Sequence, residues 1–280
     1  IQKEGGYPHE EEHATFCAKI ITSKHNQHEI IVIVGAAGRG KSWAAVALAM
    51  AVAKKVSEIL GKGTPDDYFN LKETFATITK DEVMRVMNKP KKHAILLLDD
   101  VAAKALNARN FRDADNIDLN AVLQTFRPNH NLVILTAQAG FLLDKVPRSI
   151  SHYIIEMDQA MFDYGFTTAK VKQVVYQHGS GQLHFPYLQS ENGKYVRHIF
   201  YSPPADVMEE YESIRELQLQ RSAEKKDEPA KDKKLTKTQL LFDVWVELRK
   251  AGYSLREIGK MTHTDHAHVD TVLKNSGVVV

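Results

Sequence analysis

The run Gly35-Ala36-Ala37-Gly38-Arg39-Gly40-Lys41-Ser42 fits the pattern G-x-x-x-x-G-K-[ST], and the chemistry of that spacing is the grip of a nucleoside triphosphate. Glycines at 35, 38 and 40 let the backbone curl, so that successive N–H groups from Gly35 through Trp43 can face phosphate oxygens at the positive end of a helix. Lys41 is then placed for the β and γ phosphates, and the Ser42 hydroxyl for a Mg2+ ion. ATP and Mg2+ are the cofactors this loop implies.

A triphosphate site also needs a carboxylate at the end of a neighbouring buried strand. Ala94-Ile95-Leu96-Leu97-Leu98-Asp99-Asp100 supplies one. Asp99 is the expected metal-side carboxylate, and Asp100 stands where it could polarise the attacking water, or else simply cap the turn after the strand. A further apolar run, Leu132 to Ala137, ends in Thr136 and Gln138, two polar residues suited to reading the γ-phosphate. Its place beside the Asp99 strand implies an additional strand between the strand of the loop and the strand of the carboxylate. Arg127 and Arg148 flank this run and could stabilise transition-state charge in their own subunit or in a neighbour's. Ordinary surface arginines are the alternative.

These groups can meet only if strands end at one edge of a sheet. Glu29 to Val34 is a β-branched run entering the loop, and Lys41 to about Leu60 an Ala-rich helix leaving it. Phe75 to Thr79, His93 to Leu98, Leu132 to Thr136 and Tyr153 to Met157 read as further strands, with helices over Lys80 to Asn88 and Ile117 to Phe126. Strands alternating with helices predict a parallel sheet covered on both faces. After Asp158 the pattern changes to alternation over Lys170–Tyr176, Gln182–Pro186 and Tyr195–Phe200, an antiparallel meander on the edge of the core. A charged helix follows over Ala205 to Ser222.

The stretch VLQTFRPNHNLVILTAQAGFLLDKVPRSISHYIIEMD, taken with LLLDD before it, resembles the HerA/FtsK-type DNA-pumping ATPases. More narrowly it resembles the zonula-occludens-toxin-like P-loop ATPases of archaeal viruses, plasmids and integrated elements. Leu123 to Arg127 matches their LQTFR helix end, Lys145 to Arg148 a later basic segment, and Tyr211-Glu212 a YE helix, so the likeness spans residues 25–220. It implies a RecA-like core that self-associates as a ring or filament, with Arg127 offered to the adjacent subunit. Asp100 here stands where that family usually has Glu, and the later strand ends in Thr-Ala-Gln.

Residues 1–28 form a His-rich N-terminal segment with one helix-like run, Thr15 to Ile21, and 29–222 the ATPase domain. Residues 223–235 are a charged linker, because AEKKDEPAKDKK has no large apolar side chain to bury. Residues 236–280 carry three helical patterns, a winged-helix-like or trihelical unit in which Leu255, Ile258, Gly259, Val269 and Val272 have helix-turn-helix spacing. His266, His268, Thr271 and Lys274 would then face outward as DNA contacts, although Asp265 and Asp270 are unfavourable beside phosphates. Protein docking or a purely structural role is the alternative.

The whole chain excludes some classes. Thirty-seven basic against 35 acidic residues leave a formal charge of +2, too little for the global field to recruit a polyanion, so nucleic acid must be met by local patches. One cysteine, Cys17, permits no internal disulfide, and no run approaches the ~20 apolar residues of a membrane span. A cytoplasmic, DNA-associated ATPase of a mobile element, moving or remodelling DNA by translocation, packaging or transfer, is the expectation. An AAA+ replication initiator or helicase loader acting as an ATP switch, or an ATP-gated DNA-binding regulator, is the alternative.

Overall fold

The computed structural model describes residues 10–25, 27–77, 80–88, 90–103, 106, 123, 129–177, 179–180, 182–189, 193, 195, 197–227 and 237–276. Two compact units divide the chain, residues 1–223 and 224–280.

The first unit opens with α1 (Glu10–Ile21), β1 (Glu29–Val34) and α2 (Lys41–Leu60), then the short helices α3 (Pro65–Tyr68) and α4 (Leu71–Thr74). β2 (Phe75–Thr77), α5 (Lys80–Met87), β3 (Ile95–Asp99), β4 (Leu132–Ala137), α6 (Lys145–Ile150) and β5 (Tyr153–Met161) follow. β6 (Phe166–Gln173), β7 (Val175–Gln177), β8 (Gln182–His184), β9 (Arg197–Tyr201) and α7 (Ala205–Asp227) complete it.

Seven strands form one sheet in the order β2-β3-β4-β1-β5-β6-β9. The first five run parallel and the last two pairings are antiparallel. β4 thus lies between the loop strand β1 and the carboxylate strand β3, the additional strand expected from the sequence. Alternate residues face opposite layers, as the two-residue pleat demands. Ile31, Ile33, Leu97 and Ile134 pack with α1, α2 and α7 residues such as Cys17, Leu48 and Tyr211, while Ile30, Val32, Leu98 and Leu135 pack with α5 residues Val83 and Val86. Nearly every side chain of β1, β3 and β4 is buried, which is why those strands read as unbroken apolar runs.

The expected meander is built differently in detail. β5 does not stop at Met157 but continues to Met161 across an irregularity between Met157 and Gln159, pairing with β6 from Phe166. β7 and β8 form a separate two-stranded sheet, and β9 returns to the main one. α7 continues to Asp227, into the stretch expected to be linker. Lys, Glu and Ala are good helix formers, so a charged run without apolar residues can still be helical when it extends an existing helix. The expected helix over Ile117–Phe126 and linker positions 228–235 lie outside the described residues, apart from buried Leu123.

The second unit comprises α8 (Lys237–Lys250), α9 (Leu255–Thr262) and α10 (His266–Asn275) around Trp245, Ile258, Val269 and Leu273, all fully buried. Ser254 starts α9 with a reciprocal capping box to Glu257, and Asp265 caps α10 by accepting from the Ala267 N–H at 2.9 Å. Gly259 is required by close approach, since a Cβ there would sit 2.7 Å from the Thr264 carbonyl oxygen. Among the described residues, no helix is long and apolar enough to cross a membrane.

Candidate nucleotide site

The parallel register brings the chemistry to one edge. Val34 pairs with Ala137 and Leu98 with Leu135, so the loop after β1, Asp99 at the end of β3 and Thr136 near the end of β4 adjoin. Gly38 and Gly40 adopt φ of 73° and 77°, backbone open to glycine and costly for other residues. A side chain at Gly40 would in addition collide with Thr167 of β6. The loop therefore lies directly against the first strand of the antiparallel extension.

Around the loop, the Lys41 ammonium donates to the Ala36 carbonyl at 3.1 Å, a bond that holds the cation inside the curl. Arg39 donates to the Asp158 carbonyl at 3.2 Å, at the irregularity of β5. Asp158 in turn meets Arg197 at 3.0 Å and Lys170 at 3.7 Å. Trp43 stacks edge-on against Phe162, ring centres 4.8 Å apart, closing the flank of the loop. Ala36, Ala37 and Gly38 remain exposed.

The carboxylate side is more heavily built than the sequence indicates. Asp99 is 1% exposed. Its Oδ1 accepts from the Ser42 hydroxyl at 3.2 Å and from the Thr136 hydroxyl at 2.7 Å, and its Oδ2 from the Tyr211 hydroxyl at 2.8 Å. Thr136 also accepts from the Asp100 N–H at 2.8 Å. Its hydroxyl thereby ties the Asp99 carboxylate to the backbone of Asp100, at the strand end from which it was expected to read the γ-phosphate. Ser42 and Asp99 fit a shared divalent cation, because the hydroxyl of the helix's first turn already touches the buried carboxylate.

Asp100 sits in left-handed backbone, φ 49°, and is half-buried. Desolvation first, then the neighbouring Asp99, raises its pKa, while Lys41 and Arg215 pull it back. Arg215 approaches the Asp100 Oδ2 at 3.6 Å and the Asp99 Oδ2 at 4.0 Å. Burial pushes the Tyr211 hydroxyl far up, so it serves as a donor throughout the working range.

The remaining expected residues are not all brought together. Gln138 follows β4 by one residue and is exposed. Arg148 lies in α6, whose last residues Ser149 and Ile150, with Ser151 and His152, line a cavity of about 860 Å³ shared with His28 and Glu29. That cavity is at the start of β1, opposite the loop that follows its end, so within one chain Arg148 does not reach Asp99. Arg127 lies outside the described residues. Tyr211 and Arg215 were missed as site residues; the only sequence signal at that place was the YE pair, read as a family mark.

Several solved structures are similar in part. The N-terminal domain of zonular occludens toxin from Neisseria meningitidis is 16% identical, over 59% of this chain and 96% of that one, with TM-score 0.33. The genome packaging NTPase of Sulfolobus turreted icosahedral virus 2, in complex with sulfate, is 13% identical over 56% and 95%, TM-score 0.35. The flagellar accessory protein of Methanocaldococcus jannaschii is 14% identical over 61% and 94%, TM-score 0.27. No curated protein matches the sequence. The model of one family, Novel STAND NTPase 3, matches residues 14–180, from α1 through the phosphate-binding loop, Asp99 and Thr136 to the antiparallel extension. The chain belongs to the Novel STAND NTPase 3 family, and the expectation of a P-loop nucleoside triphosphatase holds.

Proposed function

We propose that the chain hydrolyses ATP with Mg2+ and couples that cycle to the movement or remodelling of DNA. The carrying observation is the meeting of Ser42, Asp99 and Thr136 on the edge where the phosphate-binding loop ends. Mg2+ held by Ser42 and Asp99 would supply charge neutralisation at the phosphates. The chain's own residues do the rest. The loop amides and Lys41 hold the phosphates, Thr136 fixes the Asp99 carboxylate and the Asp100 backbone, and Asp100 orients water and accepts its proton. Gln138 is exposed at the same edge and is free to turn toward a γ-phosphate. Arg148 and Arg127 are offered to a neighbouring subunit's nucleotide in a ring or filament.

The DNA half of this reading rests on the second unit and on the likeness of residues 25–220 to DNA-pumping ATPases of mobile elements. α9 and α10 are joined by the short turn 263–265, whose Thr264 packs closely on Gly259 of α9, and His266, His268, Thr271 and Lys274 of α10 are exposed, His268 with its ring edge-on to Trp245. Lys274 is paired with Asp270 at 2.8 Å, so it must exchange that partner for a phosphate on binding.

One observation favours a slow ATP switch, as in an initiator or an ATP-gated regulator. Arg215 stands 3.6 Å from the Asp100 Oδ2, so a cation already engages an oxygen that would have to take the water's proton. Steady-state ATP turnover with and without duplex DNA, alongside oligomer mass, separates the readings. The motor reading expects stimulation by DNA in a multimer. Turnover that ignores DNA, or a chain monomeric with both ligands, rejects it in favour of the switch.

A further inference from the structure

Tyr211, Arg215 and Gln218 lie at i, i+4 and i+7 of α7, one face of a helix. Each touches the carboxylate edge of the sheet. Gln218 is nearly fully buried, accepts from the Thr77 N–H at 2.8 Å and donates to the Phe75 carbonyl at 3.4 Å. It thereby fastens α7 to β2, the edge strand beside β3. Two turns earlier, Tyr211 is fully buried with its ring 4.9 Å from that of Phe75, and its hydroxyl reaches both Asp99 and the neighbourhood of Ser42. Arg215 stands between them, with a buried Nε–H that has no hydrogen-bond partner and a guanidinium facing both aspartates.

A carboxylate that must present one oxygen in a fixed direction needs donors on both of its oxygens. Ser42 and Thr136 hold only Oδ1, so without a donor on Oδ2 the group can rotate about its terminal torsion, which is broad and shallow for Asp. Tyr211 closes that freedom from a side chain that cannot itself move, because it is locked in the core. All three residues of this face lie beyond 14–180, the part matched by the family.

We propose that α7 supplies two positioning residues to the nucleotide site: Tyr211 aims Asp99, and Arg215 sets the direction of Asp100. The proposal rests on the Mg-ATP reading of that site. Helix α7 then becomes part of the catalytic apparatus, and its orientation relative to β2, set by Gln218, becomes a condition for hydrolysis.

The test uses the full chain and two readouts, the affinity for ATP with and without Mg2+ and the rate of turnover. In Tyr211→Phe, affinity without Mg2+ should match the parent. The gain in affinity on adding Mg2+ should shrink by about tenfold or more, the size typical of groups that orient a metal's ligands. Arg215→Gln should lower kcat by a similar factor with little change in KM, and Arg215→Lys should restore part of it. Arg215 is partly exposed, so its variants decide the matter if Tyr211→Phe fails to melt cooperatively. Parent-like Mg2+ dependence in Tyr211→Phe overturns the role of Tyr211, and parent-like kcat in Arg215→Gln overturns that of Arg215. A parent chain whose ATP affinity ignores Mg2+ overturns the Mg-ATP reading itself, and the positioning roles with it.

Discussion

Asp99 and Asp100 are adjacent in sequence yet meet different surroundings, and Thr136 is the residue that connects them. Its single hydroxyl gives its proton to Asp99 Oδ1 and takes the Asp100 N–H, both within 2.8 Å. Thr136→Val keeps the shape and removes both bonds, leaving a buried N–H unpartnered and a buried carboxylate with one donor fewer. Stability should fall by about 2 kcal/mol, the usual cost of such orphaned groups, and Thr136→Ser should recover most of it. Urea unfolding of the three proteins measures this, and a Val variant as stable as the parent would show that the hydroxyl is dispensable. The loop, Lys41, Ser42 and Asp99 were legible because their chemistry is written in contiguous residues after apolar runs. Tyr211 was not. It is 112 residues from Asp99, and on a helix with charged neighbours a tyrosine at that place reads as ordinary until the fold folds it inward.

At the scale of elements, the sheet buries titratable groups outside the nucleotide site. Glu29 opens β1 with 1% exposure and one carboxylate oxygen without a partner, and burial pushes its pKa up to about 8. Elsewhere, between α1 and β9, His13 and His198 are buried with ring centres 4.9 Å apart, burial lowering them to about 3 and about 4. The signs follow from which state binds the proton more tightly. The folded chain holds Glu29's proton more tightly than the unfolded one, so this contribution is favourable in acid and is lost as pH rises from about 4.5 to about 8. For the histidines the folded pKa is depressed, so stability falls as pH drops from 6.5 toward about 4 and about 3. Glu29→Gln should therefore melt later than the parent at pH 9 and close to it at pH 5, with the histidine-dependent loss in acid unchanged. Thermal melting across that range checks this; parallel curves for the two proteins would mean that Glu29 is ionised at no cost. The burial of Glu29 was not legible, because a carboxylate at the head of an apolar run looks solvent-facing until the fold covers it. The order of strands, by contrast, was legible at β4: Thr136 had to stand beside Asp99.

The whole molecule is two units joined through α7, the same helix that reaches the carboxylates and then continues to Asp227. Helix α7 reaches Asp99 through Tyr211, and the chain beyond it forms the second unit, so the two can be separated experimentally. The second unit has its own buried centre, with Trp245 fully enclosed and its indole N–H donating to Thr262 at 3.1 Å. The first unit contributes every group of the nucleotide site. Removing residues 237–280 should therefore leave the melting of the first unit and its DNA-independent ATP turnover within about twofold of the full chain, since distant, independent parts contribute nearly additively. Affinity for duplex DNA should fall by tenfold or more, and its dependence on salt should flatten, because phosphate contacts by Lys and Arg carry that dependence. Filter binding at two salt concentrations reads both. If the shortened chain binds DNA as before, α10 is not the contact, and the basic residues of the first unit take its place.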